Sequence, residues 1–207
     1  MKNVDIEFAL AAHLGVEYAV QELGLDPYER YPEFAAWAWA FSQWGVPTMA
    51  RVTTSAARLA LPVWQKYEPV APWEREIVSG FPLLGLLQRL EECLSLSDPT
   101  DLLRVESAKA ESALSRLELG LEEASGSVER VQARERLWAA AYSVASAART
   151  ALWTPDDVVT NDPAERTAQL EAGPALHVVD CLSNVCLATG LSRREFAKAL
   201  AEGYGFK

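Results

Sequence analysis

The chain has 207 residues, a net charge of −10 and 50% hydrophobic residues, which is enough apolar surface for one sizeable core and unlike a disordered chain. Its acids come in blocks: residues 1–33 hold seven acids against two bases, and residues 77–125 hold nine against four. Such a surface repels phosphate backbones, so we expect no nucleic-acid partner. The acid either serves solubility or faces a basic protein partner.

Helix-start signals recur along the chain and predict an all-α fold. Five four-residue segments have proline as the second residue and an acid as the fourth. They begin at Asp26, Ala71, Asp98, Thr154 and Asp162. In four of them the first residue can cap the helix, and the acid lies at the positive end of the helix dipole. Ser192 to Glu195 is a sixth start, a capping box without proline. We therefore expect one domain over residues 1–207, an irregular bundle of about seven to nine helices.

Apolar periodicity predicts four helices in the first half of the chain, over residues 4–22, 33–45, 48–67 and 73–96. The second is rich in aromatic residues and is closed by Gly45. Proline cannot donate a helical hydrogen bond, so Pro62 is expected to break or kink the third helix and Pro82 to divide the fourth.

Residues 100–152 admit two interpretations. Apolar residues step by three, four and seven along one helical face: Leu114, Leu117, Leu121, Ala124, Val128, Val131 and Trp138. This unbroken phase is compatible with one long helix. Ser125-Gly126-Ser127 interrupts it with a natural stop and a new N-cap, so we favour a helical hairpin that turns at Gly126. Beyond it we expect a short helix near 155–160 and three further helices, from 163 to Gly173, over 175–189 and over 193–202.

The helix over 175–189 carries the strongest chemical pattern. His177, Asp180, Cys181 and Asn184 recur at i, i+3, i+4 and i+7, so they share one stripe of an otherwise apolar helix. A His and a Cys one turn apart could bind a metal or form a nucleophile–base pair. The alternative is a polar stripe that faces water, which we favour because the sequence offers few other converging groups.

Other chemical signals are sparse. No phosphate-binding loop, Cys-x-x-Cys pair or metal-ligand spacing occurs, so we expect no cofactor and no metal. The only other histidine, His13, has Glu17 one turn away and is interpreted as structural. Three cysteines without framework spacing indicate reduced thiols and a cytoplasmic location. The longest uncharged stretch, 34–50, is short for a membrane span, and we expect no membrane partner.

Two functional hypotheses follow. The first is a non-catalytic interaction module, as adaptors, antitoxins and immunity proteins are, which binds a basic protein partner. Its candidate contacts are aromatic anchors and steering acids: Trp37, Trp39, Trp44, Glu91, Glu92, Glu118, Glu122 and Glu123. The second is a small-molecule-binding protein or enzyme, whose pocket is lined by Trp residues and the His177 stripe. The sequence leaves the oligomeric state open.

Overall fold

The protein is all-α. The structure, a computed structural model, describes residues 34, 37–38, 41–42, 45–81, 83–96, 101–122, 126–160 and 162–204. These residues contain no strand and form eight α-helices and one 3₁₀ turn: α1 Val46–Gln65, α2 Pro72–Gly80, α3 Leu83–Leu96, α4 Asp101–Glu122, α5 Val128–Leu152, the turn Pro155–Asp157, α6 Pro163–Ala172, α7 Ala175–Thr189 and α8 Arg193–Tyr204. Residues 34, 37, 38, 41 and 42 are also helical. The all-α class is confirmed, and the eight α-helices of the described residues compare with about seven to nine predicted for the whole chain.

The two prolines have different effects on their helices. The helix predicted over 73–96 is divided into α2 and α3, and Phe81 between them is extended (φ −89°, ψ 113°), as the residue before a proline prefers. Pro62 lies inside α1, which continues to Gln65, so the expected break is absent there. Because Pro62 lies in the last turns of α1, few helical hydrogen bonds follow it.

The α4 and α5 helices form the predicted hairpin and pack against each other. The α4 helix ends at Glu122, and α5 begins after Ser127, whose hydroxyl oxygen accepts a hydrogen bond from the backbone N–H of Arg130 (3.3 Å). Leu114 and Leu117 of the apolar seam are buried, but Val128 is 69% exposed. The unbroken spacing across Gly126 therefore does not correspond to one continuous face.

Side-chain caps set several of the other predicted starts. The Asp162 carboxylate accepts a hydrogen bond from the N–H of Ala164 (2.8 Å) at the start of α6. At α8, the Glu195 carboxylate accepts bonds from the N–H (2.9 Å) and hydroxyl (2.6 Å) of Ser192. Both starts agree with the prediction. The starts at Asp26 and Asp98 lie outside the described residues, as does the helix predicted over 4–22.

The core is centred on α5. This helix contacts α1, α3, α4 and α7, and α1, α5 and α7 all contact one another. From Leu137 to Thr150 nearly every side chain of α5 is buried, which is typical of a helix enclosed on all sides. Most of the buried positions are small, which lets neighbouring helices approach closely: Ala139, Ala140, Ala141, Ser143, Ala145, Ser146, Ala147 and Ala148.

Aromatic stacking and a glycine cap complete the fold around α7 and α8. Trp37 is fully buried and stacks on Phe196 of α8 with 6.0 Å between ring centroids and 8° between planes. Phe34 packs edge-on against both rings. Gly190 ends α7 in the left-handed region (φ +69°), where a side chain would be strained, and its N–H donates to the carbonyl of Cys186 (2.9 Å).

Candidate functional site

The four polar residues predicted to share a stripe on α7 have different environments. His177, Asp180 and Asn184 are half-buried. Cys181 is completely buried, and its thiol donates to the backbone carbonyl of Thr53 on α1 (3.4 Å). Burial and the neighbouring Asp180 raise the pKa of the Cys181 thiol far above its usual range. The thiol is therefore neutral at physiological pH and unsuited to act as a nucleophile or a metal ligand.

Helix geometry explains this separation. Successive residues are rotated by about 100° around the axis, so Asp180 and Cys181 point in very different directions. The α7 helix packs against both α5 and α1, and the border of its buried face falls between these two residues. Asn184 is satisfied locally, because its amide nitrogen donates to the carbonyl of Asp180 (2.8 Å). Only His177 and Asp180 thus remain together at the rim of the helix.

A charged network from other helices lies next to these two residues. Arg149 of α5 binds Glu111 of α4 with two hydrogen bonds, one from Nε to Oε1 at 2.7 Å and one from Nη2 to Oε2. Its Nη1 donates to the Tyr142 hydroxyl (3.2 Å), and its guanidinium lies 5.4 Å from the centre of the Tyr142 ring. We call His177, Asp180, Arg149, Glu111 and Tyr142 the His177 cluster.

The electrostatics of the His177 cluster favour uncharged forms of its two titratable rim residues. Burial and the charge of Arg149 lower the pKa of His177, and the acids Asp157 and Glu111 offset part of that change. Burial raises the pKa of Asp180, and Arg149 partly counteracts it. His177 is therefore neutral near pH 7 and can accept a proton, which is a property of general bases.

The partners of His177 are tertiary contacts that the local sequence pattern does not predict, although one signal points to them. Arg149 is the only charged residue between Arg136 and Leu152, in a stretch otherwise made of small and apolar side chains. A lone charge on a buried helix requires a partner. Among the described residues, no group of three or more His, Cys, Asp or Glu side chains is arranged to hold a metal ion.

A second polar cluster joins α2 to α5 beneath the surface. Glu74 is completely buried, and its carboxylate accepts hydrogen bonds from Nε of Arg134 (2.6 Å) and from Nη2 of Arg130. It also accepts from the backbone N–H groups of Val70 (2.6 Å) and Ala71 (3.1 Å) at the start of α2. Burial would raise the pKa of Glu74, but these hydrogen bonds and the charge of Arg130 lower it to about 2. Both oxygens of the buried carboxylate thus accept hydrogen bonds, which indicates a structural role.

The residues predicted as protein contacts are distributed unevenly. Trp37 is in the core and has no solvent-exposed surface to offer a partner. Glu91 pairs with Arg58, and Glu92 pairs with Arg89 (2.7 Å). Glu118 is exposed and makes no ion pair with another described residue. Glu122 belongs to α4, but its side chain is outside the described part of the structure. Three other predicted contacts, Trp39, Trp44 and Glu123, lie outside the described residues, and so does the His13–Glu17 pair.

The solvent-facing side of α4 carries apolar residues that the sequence analysis did not single out. Leu102, Val105 and Leu119 are 56%, 50% and 60% exposed. At about 100° per residue they fall within an arc of about 100° opposite the buried Leu103 and Leu114. Periodicity could have identified them, since they are out of phase with the buried residues of the same helix. We call these three residues the α4 outward face.

None of the helices formed by the described residues is long and apolar enough to cross a membrane. The chain matches no protein-family model, and comparisons with curated proteins and with solved structures found no match.

Proposed function

We propose that the protein is a non-catalytic helical interaction module, a single domain that binds a basic protein partner. The observation that carries the proposal is the α4 outward face, which lies within the acidic block of residues 77–125. Apolar anchors surrounded by a charged rim are the usual anatomy of a protein interface.

The shape of the α4 outward face suits a docked helix or strand. Between Val105 and Leu119, the exposed small residues Ala108, Ser112 and Ser115 lie within or next to this arc, and the exposed Lys109 and Arg116 lie inside it. A partner backbone can approach the small residues closely, and the larger apolar side chains at both ends can enter pockets on the partner. Isolated exposed apolar residues are common on protein surfaces, whereas three on one face of a helix favour an interaction site.

The charge near this face favours a basic partner, although intramolecular pairs reduce it. Arg58 and Arg149 pair with Glu91 and Glu111. The net charge of the block, −5, falls to −3 when these two arginines are counted with it. The remaining field steers a basic molecule over a distance of about one Debye length. Glu118 is exposed on the flank of α4, about 100° around the helix axis from the Leu119 anchor.

The proposal is tested by comparing which proteins are captured by the wild-type protein and by a variant of the α4 outward face. The wild-type protein and the Leu102→Ser/Val105→Ser/Leu119→Ser variant are immobilised and exposed to native lysate at low and high salt. We expect a stoichiometric basic partner on the wild type, less of it at high salt and almost none on the variant. The partner is then purified, and binding is reconstituted from the two pure proteins. A partner held equally by both surfaces, or failure to reconstitute binding, would exclude the α4 outward face.

The His177 cluster supports a second candidate, a small-molecule-binding protein or enzyme. Five side chains from three helices converge there, and Trp138 packs on Tyr142 with 4.9 Å between ring centroids. A neutral histidine beside an arginine could bind and deprotonate an anionic ligand. If this candidate holds, His177→Gln and Asp180→Asn abolish ligand binding or turnover while Asn184→Ala, which removes only a bond within α7, does not. If the interaction module holds, all three variants retain partner binding.

A further inference from the structure

A cleft runs between the C-terminal end of α1 and the N-terminal half of α5. Its volume is about 320 Å³, at the lower end of the range of small-molecule sites. The wall at the end of α1 includes Val63 and the two residues that follow the helix, Lys66 and Tyr67, and the α5 wall includes Glu129, Ala133 and Arg136. We call it the α1–α5 cleft.

Two cations on opposite walls of the α1–α5 cleft are available to a ligand. Lys66 and Arg136 are exposed, and neither pairs with a carboxylate among the described residues. Glu129, the one acid in the lining, is engaged at the start of α5, where its own backbone N–H and the Ser127 side chain lower its pKa. The lining therefore has a net charge of +1, in a protein whose overall charge is −10.

Apart from Gln132, the remaining lining is apolar. Val63, Ala133 and the ring of Tyr67 supply an apolar surface between the two cations. The Arg130 guanidinium lies 4.9 Å from the centre of the Tyr67 ring and is itself bound to Glu74 and to the carbonyl of Glu68 (3.1 Å). This network holds Tyr67 in place, so the wall loses little entropy when a ligand binds.

Arg136 is also positioned by the fold. Its Nη2 lies 3.6 Å from the point where a Cβ on Gly190 would be, so the guanidinium lies against the end of α7. A planar guanidinium can form two parallel hydrogen bonds with a carboxylate, whereas the Lys66 ammonium adapts as a point charge on a flexible stem.

We propose that the α1–α5 cleft binds a small amphipathic monocarboxylate. Its carboxylate would lie between Lys66 and Arg136, and its apolar body would lie against Val63, Tyr67 and Ala133. A single negative charge matches the net charge of +1, and Glu129 disfavours polyanions. The volume of the cleft limits the apolar body to a short acyl chain or one aromatic ring. This inference does not depend on the interaction proposal, because the residues involved lie at or just after the end of α1 and on α5, and not on α4.

Calorimetric titration of the intact protein with sodium octanoate tests the proposal. We expect saturable binding at one site, with a dissociation constant between about 10 µM and a few millimolar for a ligand of this size. Arg136→Gln and Lys66→Gln should each weaken binding about tenfold, because each removes one charge-assisted contact. Lys109→Gln, an exposed cation on α4, is the matched control and should leave the affinity unchanged.

Two comparison probes separate the parts of the proposed ligand. Octan-1-ol lacks the carboxylate and inorganic phosphate lacks the apolar body, so both should bind at least about tenfold more weakly than octanoate. Ala133→Trp, which fills the cleft, should abolish octanoate binding if circular dichroism shows an intact helical fold; the two glutamine variants do not depend on that condition. Absence of saturable octanoate binding, equal binding by Arg136→Gln, or equal affinity for either comparison probe would overturn the proposal.

Discussion

Nε of Arg134 donates a 2.6 Å hydrogen bond to the carboxylate of Glu74, which has no solvent-exposed surface. This contact joins α5 to the start of α2 across 60 positions of the sequence. The pair is charged and buried, and the carboxylate also accepts hydrogen bonds from two backbone N–H groups. These features distinguish it from the exposed ion pairs of the same protein.

We expect Glu74→Ala to lower the free energy of unfolding by about 3–5 kcal/mol, because Arg134 would keep a buried charge without its carboxylate. Urea denaturation followed by circular dichroism measures the change. Glu76→Ala is the matched control: Glu76 pairs with Arg116 at the surface, and losing an exposed pair should cost less than about 1 kcal/mol. Equal costs for the two variants would contradict a structural role for Glu74.

The same carboxylate should make stability depend on pH in a defined window. The pKa of Glu74 is about 2 in the folded protein against 4.5 for an ordinary glutamate. Its ionised form therefore contributes stability that is complete above about pH 4.5 and is lost as the pH falls toward about 2. The difference in unfolding free energy between wild type and Glu74→Gln should shrink across this window. A difference that stays constant there would argue against the low pKa.

How far the sequence predicted these features can be judged at particular residues. Gly190 ends α7 and Ser127 starts α5 as predicted, because capping depends on residues within a few positions of the helix end. Glu74 was also predicted at the start of a helix, and its carboxylate does accept the backbone N–H of Ala71. Its two arginine partners are 56 and 60 residues away and could not be inferred from local pattern.

The candidate site shows the same limit more sharply. Periodicity placed His177, Asp180 and Cys181 on one side of α7, but a stripe of this width spans the border between core and rim. Which side of that border each residue occupies depends on where α1 and α5 pack. Arg149 joins the His177 cluster through a tertiary contact. The one indication of this contact in the sequence is that Arg149 is a lone charge in an apolar stretch.

We expect the ring of His177 to titrate with a midpoint below its usual pKa of 6.5. Protonation is disfavoured in the folded state, so the contribution of His177 to stability is complete above about pH 6.5 and declines as the pH falls below it. Arg149→Met should raise the midpoint, because it removes a neighbouring positive charge and leaves Glu111. NMR titration measures both, and His177→Gln distinguishes its signal from that of His13. A wild-type midpoint above 6.5, or no change in Arg149→Met, would contradict this electrostatic account.

Packing between α2 and α4 should make Gly120 intolerant of a side chain. A Cβ at Gly120 would lie 2.7 Å from the ring of Trp73, closer than carbon atoms can approach. We expect Gly120→Ala to destabilise the protein by about 1–3 kcal/mol despite the better helix propensity of alanine. Gly80→Ala is the control, since a Cβ there meets nothing within 4 Å and should be neutral or stabilising by up to about 1 kcal/mol. A stabilised Gly120→Ala protein would show that Trp73 does not occupy this position.

The interaction proposal is tested most directly by the association kinetics of the purified partner with wild type, Glu118→Gln and Leu119→Ser at two salt concentrations. The Debye length falls from about 30 Å at 0.01 M to about 10 Å at 0.1 M, so steering by the acidic block should weaken over this interval. We expect the on-rate of the wild type to fall with salt and to be lower in Glu118→Gln, while Leu119→Ser mainly increases the off-rate. An on-rate that is the same at both salt concentrations and in Glu118→Gln, together with an unchanged off-rate in Leu119→Ser, would contradict the proposal that this face binds a basic partner.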